Sequence, residues 1–396
     1  MTKEETQKLS FMLILILGAI SALTPLAIDM YLPAMPTIAR DLVVSPSLVQ
    51  STLTAYTAGF AIGQLLHGPL ADSYGRKPII IIGTILFGIA AVFSALSQNI
   101  VELTWIRAAQ GFAGASAAVI VQALVRDMFE REEFARTMSF ITLVMTVAPL
   151  AAPMIGGHIA VWFGWRAIFW VLAIFAVIVL LAVVSKIPET LPKEKRLPFN
   201  IGSTLRNYAR LLTNKTAVGL IFCSGFSFAG MFTFLTVGSF VYIDLYHVST
   251  QNFGYLFGLN VVCLILMTSM NGRMVKQKGS HWMLRFGLIV QLVAGFGLII
   301  GQLFGLGLWG VVVPVMLFVG TISIIGSNTM ACLLSKYPHM AGTASSLAGT
   351  MRFGTGTLVG GAVALMPDAT VWPMALSMAA CAVLSAGFYI FLSRDA

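Results

Sequence analysis

Apolar residues run along this chain in long blocks separated by short polar interruptions. A helix needs about 20 mostly apolar residues to cross a bilayer. Blocks of that kind fall near 10–33, 47–68, 78–97, 102–125, 136–160, 165–187, 216–243, 252–273, 282–303, 308–334, 341–366 and 370–393. The pattern predicts an all-α integral membrane protein with twelve transmembrane helices. The widest gap, 188–215, carries Pro188, Pro192, Pro198 and seven nearby cations, and reads as a linker between two six-helix halves, 1–187 and 216–396. The first apolar run, Phe11 to Ile28, follows MTKEETQKLS as the core of a signal peptide would. Its length, the lack of a small-residue cleavage site and the runs that come after it mark an uncleaved first helix instead.

Composition agrees. Of 396 residues 58% are hydrophobic and 10% charged, against about 25% charged in soluble domains. A net charge of +9 suggests a nucleic-acid partner until the cations are placed. The N-terminus, the alternate loops (76–77, 126–136, 186–215, 273–285 and Lys336) and the C-terminus together hold 20 of the 24 Lys and Arg residues. The other side holds Arg40 and Arg166, and the apolar blocks hold Arg107 and Arg352. Positive loops stay inside, so both termini and the linker are expected in the cytoplasm, in a multi-pass protein with no nucleic-acid partner. Cys223, Cys263, Cys332 and Cys381 each stand alone in an apolar block, with no CxxC or Cys/His spacing. They read as buried free thiols, not as disulfides or metal ligands.

One polar interruption is distinctive: Gly68 to Lys77, GPLADSYGRK, expected as a tight loop of about ten residues joining antiparallel neighbours. Gly68 and Gly75 let the backbone turn and pack, Asp72 accepts hydrogen bonds, and Arg76 and Lys77 anchor at anionic headgroups. Any positively charged membrane hairpin offers a plainer account of the same residues. GRMVKQKG, 272–279, repeats the seven-residue glycine spacing after the second helix of the other half, without the acid. Related halves around a shared cavity are a common transporter plan.

Several segments resemble one family in order. GPLADSYGRK is similar to the loop signature of the major facilitator superfamily, departing at Ser73, where a basic residue is common. LTWIRAAQGFAGA, 103–115, resembles its fourth-helix motif. APLAAPMIGG, 148–157, resembles its antiporters' fifth-helix motif, with Ala148 for the usual Gly. LAIDMYLPAMP, 26–36, resembles the first-helix motif of the twelve-span drug:proton antiporters. With SGFSFAGMF, 224–232, and HMAGTASSLAGTMRFG, 339–354, these segments point to the bicyclomycin-resistance and chloramphenicol-efflux branch. The resemblance implies two pseudo-symmetric halves and a bacterial inner-membrane exporter that exchanges protons for small drugs, one or several. It uses the proton motive force and no cofactor.

Charge at membrane depth is costly, so each such group is a functional candidate. Asp29, near the outer end of the first helix, and Arg107, in the fourth, both lie roughly 6–9 Å below the outer boundary at about 1.5 Å per residue. They can meet if the two helices share a cavity. Asp29 is then a candidate proton carrier and Arg107 the group that sets its affinity. The plainer alternative leaves Asp29 in interfacial water, capping a helix end. Arg352 lies about ten residues into its block with no carboxylate at that depth. Tyr56, the carbonyls near Gly354 and Gly356, or the substrate are its candidate partners, and a structural arginine between helices is the alternative. Asp244 and Asp368 belong to outer loops or helix ends.

Gly111, Gly114 and Ala118 continue the Arg107 face and permit close helix packing, with Gln110 beside them. Pro149 and Pro153 are expected to kink the fifth helix and, with Gly156 and Gly157, to seal or bend during transport. Tyr31, Tyr56, Gln110, Phe228, Phe232, Asn260, Asn328 and Arg352 are the candidate substrate contacts. They come from a segment crowded by Phe226, Phe228, Phe232 and Phe234 and from polar residues deep in helices, where Asn260 and Asn328 serve equally well as helix–helix glue. Asp72 is expected to hold the N-terminus near Ala341–Ala344, with Arg126 and Arg136 as further candidates; in the family that contact helps hold the outward-facing state.

Other chemistries find no support. FGTGTLVGG, 353–361, lacks a preceding strand, and packing at Gly356 and Gly360 explains it better than a nucleotide fingerprint. No GxxxxGK[ST] occurs, the histidines are dispersed, and no embedded nucleophile–base set marks an enzyme. The sequence therefore predicts a non-enzymatic carrier, acting as a monomer, whose partners are a small drug, protons and the lipid bilayer. A nutrient or metabolite carrier on the same scaffold is the alternative.

Overall fold

The computed structural model describes residues 3–129, 131–196, 201–337, 340–366 and 370–393. Pro198, His339 and Asp368 lie outside that set, as does the side chain of Arg136. No strand occurs among the described residues. Helix α1 (Lys3–Asp29) is followed by a 3-10 turn at Leu32–Ala34 and the short α2 (Met35–Asp41). Then come α3 (Pro46–Tyr74), α4 (Arg76–Leu96), α5 (Ile100–Met128), α6 (Arg131–Phe163) and α7 (Arg166–Lys186). Helix α8 (Ile201–Leu212) lies in the linker. Helix α9 (Lys215–Phe240), extended by a π turn at Val241–Leu245, leads into α10 (Thr250–Lys278) and α11 (Ser280–Leu303). The broken pair α12 (Trp309–Gly320) and α13 (Ile322–Lys336) precedes α14 (Ala341–Ala364) and α15 (Trp372–Leu392).

Local chemistry sets several of these ends. Asn99 accepts from the Glu102 N–H at 2.9 Å, Asn214 from the Thr216 and Ala217 N–H groups, and Ser249 from the Asn252 N–H. Each thereby satisfies donors that a helix start leaves open. Ten stretches among the described residues are long and apolar enough to span a bilayer. The other two expected spans are α3 and α14, with 29 and 24 residues. They are long enough, but Gln50, Thr52, Thr57 and Gln64 dilute one and Ser345, Ser346, Thr350 and Thr355 the other. The reason is position. α3 and α14 pack against each other, joined by a Thr357–Thr57 hydroxyl hydrogen bond of 3.0 Å, so their polar side chains meet protein.

Two groups of helices result. In one, α3 and α4 pack on α5, α4 on α7 and α1 on α6; in the other, α14 and α15 pack on α9 and α11 on α12 and α15. They meet along two seams, α3 with α14 and α6 with α10. Large apolar side chains such as Ile89, Phe93, Ile178, Leu181, Ile300 and Phe391 face outward, as lipid-facing positions should. Trp105, Trp162 and Trp309 are also exposed and sit at helix ends on the face opposite the linker, where a tryptophan girdle is expected.

The expected ten-residue loop at 68–77 is not a loop. Helix α3 runs through Pro69 to Tyr74, and α4 starts at Arg76. Gly75 alone makes the turn, at φ 107° and ψ 156°. Gly279, between α10 and α11, does the same at φ 81° and ψ 160°. The sequence echo between the two halves is thus a conformational one, because this backbone region is open essentially to glycine alone. Lys77 and Arg76 are tied to protein: Lys77 Nζ donates to the Val184 carbonyl at 2.9 Å, and the Arg76 N–H to Glu189 at 3.0 Å.

The linker closes over this turn. Glu189 pairs with Arg196 at 3.7 Å, and both would meet a side chain placed at Gly75. Helix α8 buries Tyr208 and Leu211 and leaves Arg206 and Arg210 exposed. Burial raises the Tyr208 phenol above its usual value, so it keeps its proton and bonds Ser346 of α14 at 2.7 Å.

Both turn glycines are expected to resist substitution, unequally. A non-glycine residue in this region costs about 1–3 kcal/mol. Gly75→Ala adds a clash with Glu189 and Arg196, whereas the space beside Gly279 is open. The displaced atoms are the ends of flexible side chains, so thermal unfolding in detergent should show a modestly larger loss for Gly75→Ala than for Gly279→Ala. Equal losses would refute the role of the linker contact.

Candidate functional site

Arg107 is fully buried and has no carboxylate partner among the described residues. Its Nη1 donates to Gln110 Oε1 at 2.7 Å and its Nη2 to the Ala27 carbonyl at 3.1 Å. The guanidinium lies 4.7 Å from the ring centre of Tyr31 and 4.4 Å from that of Tyr56. Tyr31 bonds Thr52 at 2.7 Å, and Tyr56 reaches Thr24 at 3.4 Å. A desolvated cation–ring contact is worth about 2 kcal/mol, and a hydrogen bond from a charged donor about 1.5–3 kcal/mol. Two of each are on the scale of the several kcal/mol that burying an ion costs. Arg107 is held by its own shell except at its Nε, which is buried without an acceptor.

Asp29 is also buried, 6% exposed, so it does not sit in interfacial water. It is the last residue of α1 and makes no ion pair with Arg107. The expected Asp29–Arg107 meeting is absent for a specific reason: Ala27 O is one of the carbonyls a helix end leaves unpaired, and Arg107 binds it. The arginine holds the helix end that carries Asp29, not the carboxylate.

Arg352 is placed differently. Its guanidinium lies 4.7 Å over Phe228, and its Nε is buried without an acceptor. Tyr56 is not its partner, because that ring is already under Arg107. Aromatic rings connect the two arginines across the α3–α14 seam. Tyr56 stacks on Phe60 at 6.5 Å, Phe60 meets Phe353 at 4.4 Å, and Phe353 meets Phe228 at 4.9 Å. Beyond this ceiling, toward the linker face, lies a cavity of about 640 Å³. Gln64, Gln122, Arg126, Ser224, Gly326 and Arg352 contribute to its wall, and the ends of α5, α6 and α14 form its mouth.

The remaining candidates divide. Tyr31, Tyr56 and Gln110 are enclosed around Arg107, not in the cavity wall. Phe232 is buried and stacks on Phe228 at 6.3 Å; the Phe228 ring lies against Gly356 and the Phe232 ring against Gly360, which accounts for FGTGTLVGG as packing. Phe226 stacks on Phe388, and Phe234 on Phe257. Asn328 donates to Asn271 Oδ1 and to the Ile324 carbonyl, both at 2.8 Å, and so joins α13 to α10 as glue. Asn260 is buried with both amide atoms unpartnered. Ala118 reaches the cavity wall, while Gly111 lies against the Tyr56 carbonyl and Gly114 near the Tyr56 hydroxyl.

At the face opposite the linker the seams are shut. Helix α6 is continuous through Pro149 and Pro153. Its Gly156 lies against the Met30 carbonyl, and a methyl group on Gly157 would come within 2.7 Å of the Thr250 carbonyl oxygen. Across the seam, Gly254 of α10 lies against the Met154 backbone, and Arg40 reaches Asp244 at 4.0 Å. At the linker face Asp72 pairs with Arg76 at 2.7 Å, not with the start of α14. Arg76 also meets Asp127 at 3.6 Å, and Arg126 reaches Asp127 at 3.8 Å. Gly68 has ordinary contact with Val119.

Sequence reasoning missed Phe60, Phe353, Gln64 and Gln122. Phe353 adjoins Arg352, and Phe60 and Gln64 continue the Tyr56 face at four-residue intervals, which is the signal that marks them. Bulk at the glycine seam should open it. Gly157→Ala with Gly254→Ala is expected to lengthen the α6–α10 distance at that face, read by pulsed electron resonance between spin labels. An unchanged distance would show that these glycines do not set the closure.

Among known proteins, the family model of the Major Facilitator Superfamily matches residues 17–361. A bicyclomycin resistance protein homolog from Haemophilus influenzae is 43% identical over 387 residues, covering 98% of this chain and 97% of that one. A chloramphenicol resistance protein from Pseudomonas aeruginosa is 28% identical over 367 residues, covering 91% and 86%. The crystal structure of a D-xylose–proton symporter, 17% identical, shares the fold with a TM-score of 0.75 over 96% of this chain and 97% of that one.

Proposed function

The chain belongs to the major facilitator superfamily, and on that footing we propose that it exports small drugs across the bacterial inner membrane in exchange for protons. In this reading both termini and the linker are cytoplasmic, residues 1–187 and 216–396 are the two moving halves, and 188–215 joins them. The protein works as a monomer, without a cofactor, on the proton motive force. The names of its relatives support drug as the cargo class.

One observation carries the mechanism: the cavity opens at the linker face while glycine backbones close the opposite face. That is the geometry expected of an exporter waiting to load from the cytoplasm. Rocking about the α3–α14 and α6–α10 seams would open the far face and expose the cargo there. Asp29 is the coupling acid in this reading. The approach of a guanidinium favours a carboxylate, and separation favours the acid. Arg107 holds the end of α1, so a helix movement that alters this grip changes the distance between the two groups and hence proton binding.

Asp29→Asn carries no titratable proton and should reduce pH-gradient-driven chloramphenicol exchange in proteoliposomes at least tenfold, with protein level and drug binding retained. Unimpaired exchange would refute the assignment. Cells lacking the protein should accumulate chloramphenicol and lose it again on re-expression; no change in either would favour a metabolite carrier.

A further inference from the structure

The cavity wall has a one-sided charge. It includes Arg126 at the mouth and Arg352 at the inner end, and among the described residues none of its wall is an aspartate or glutamate. Asp127 partly balances Arg126. Nothing comparable balances Arg352, whose one contact among the described residues that offsets its charge is the face of Phe228. Asp29, the carboxyl within the first membrane helix, is not part of this wall.

Room has been left beside the unpaired guanidinium. A side chain at Gly326 would approach it to 3.6 Å, so glycine there keeps a space open. One turn earlier on α14, Gly349 leaves space against Gln64, whose Oε1 is buried without a donor. Residues three apart on a helix are neighbours on one face. The wall therefore offers unused N–H donors from Arg352 and, close by, an unused acceptor from Gln64. Phe228 backs the guanidinium from behind the wall, and Ser224 adds a hydroxyl to it.

From this we infer that the cavity selects neutral or anionic cargo bearing a strong hydrogen-bond acceptor, such as a carbonyl, nitro, sulfonyl or carboxylate group, together with an N–H or O–H donor. It rejects lipophilic cations, and Arg352 is the residue that makes the choice. The inference deepens the export reading above and rests on its cargo site. A cation entering the cavity would bring a second positive charge beside Arg352 in a low-dielectric setting, with no acid among the described wall residues to receive it. An acceptor group satisfies a buried donor that is otherwise left without a partner. The selectivity comes from the wall itself, whatever drives transport.

The test is equilibrium binding to the purified full-length protein in detergent. One probe is chloramphenicol, which is neutral and has carbonyl, nitro and hydroxyl groups. The other is tetraphenylphosphonium, an apolar cation. The wild-type protein should bind chloramphenicol at least tenfold more tightly than the cation. Arg352→Gln should weaken chloramphenicol binding at least tenfold. Arg352→Glu should reverse the preference, a gain that a misfolded protein cannot show. If the arginine variants do not fold, Gln64→Leu should weaken chloramphenicol binding several-fold with the cation unaffected. Equal or tighter binding of the cation by the wild-type protein, no binding of either probe, or an unchanged chloramphenicol affinity in a folded variant would overturn the inference. Proton-driven export measured on the same wild-type preparation separates the two readings. Loss of export with the binding preference intact overturns the export reading alone. Export of both probes equally well overturns the selectivity alone.

Discussion

Placing a guanidinium in a bilayer protein without a carboxylate beside it is the constraint around which this molecule is arranged. Two arginines meet it in different ways. Arg107 has two hydrogen bonds, two tyrosine faces and a helix end to hold, with only its Nε left without an acceptor. Arg352 has one ring and an open space. The first solution gives a fixed post within the α1–α7 group. The second leaves a charge whose stabilisation depends on what else occupies the cavity. Similar residue chemistry thus serves as structure in one half and as an incomplete site in the other.

The rings between the two arginines give the seam its character. Phe60 and Phe353 meet where α3 and α14 cross, and Gln64 of α3 and Gly349 and Arg352 of α14 carry that seam on into the cavity wall. A movement at that contact is felt by both guanidiniums, because each stacks on a ring of the same chain of contacts. At the far face the seam consists of glycine against backbone. Such a contact excludes water while interlocking few side chains, so it suits a surface that must separate and rejoin.

Much of the architecture was legible in the chain. Apolar blocks located the spans, and the glycine echo at 75 and 279 marked two equivalent turns. Arg107 with Gln110 could be paired because three-residue spacing along one helix is a local property. What escaped is rotation and rise between helices. Spacing placed Asp29 and Arg107 at one depth, but it could not show that Arg107 would take a backbone carbonyl two residues earlier. It gave Asp72 an acceptor role without showing that Arg76, one turn on, lies nearest. The helix runs on through Pro69 to Tyr74 despite the hydrogen bond that the proline removes, so a polar stretch read as a loop is in fact helix. The aromatic ceiling escaped for the same reason, since its rings come from three helices far apart in sequence.

The modest apolarity of α3 and α14 has a consequence for biogenesis. A segment enters a membrane during synthesis on its own transfer free energy unless neighbours share the task. Each of these helices exposes hydroxyl and amide groups to lipid until its counterpart arrives, and α14 is made long after α3. The single-glycine turn at Gly75 offers a remedy for the first, because it lets α3 enter paired with the strongly apolar α4 as one hairpin. α14 has α15 in the same role. The two least apolar spans are thus the ones for which an apolar hairpin partner during synthesis matters most.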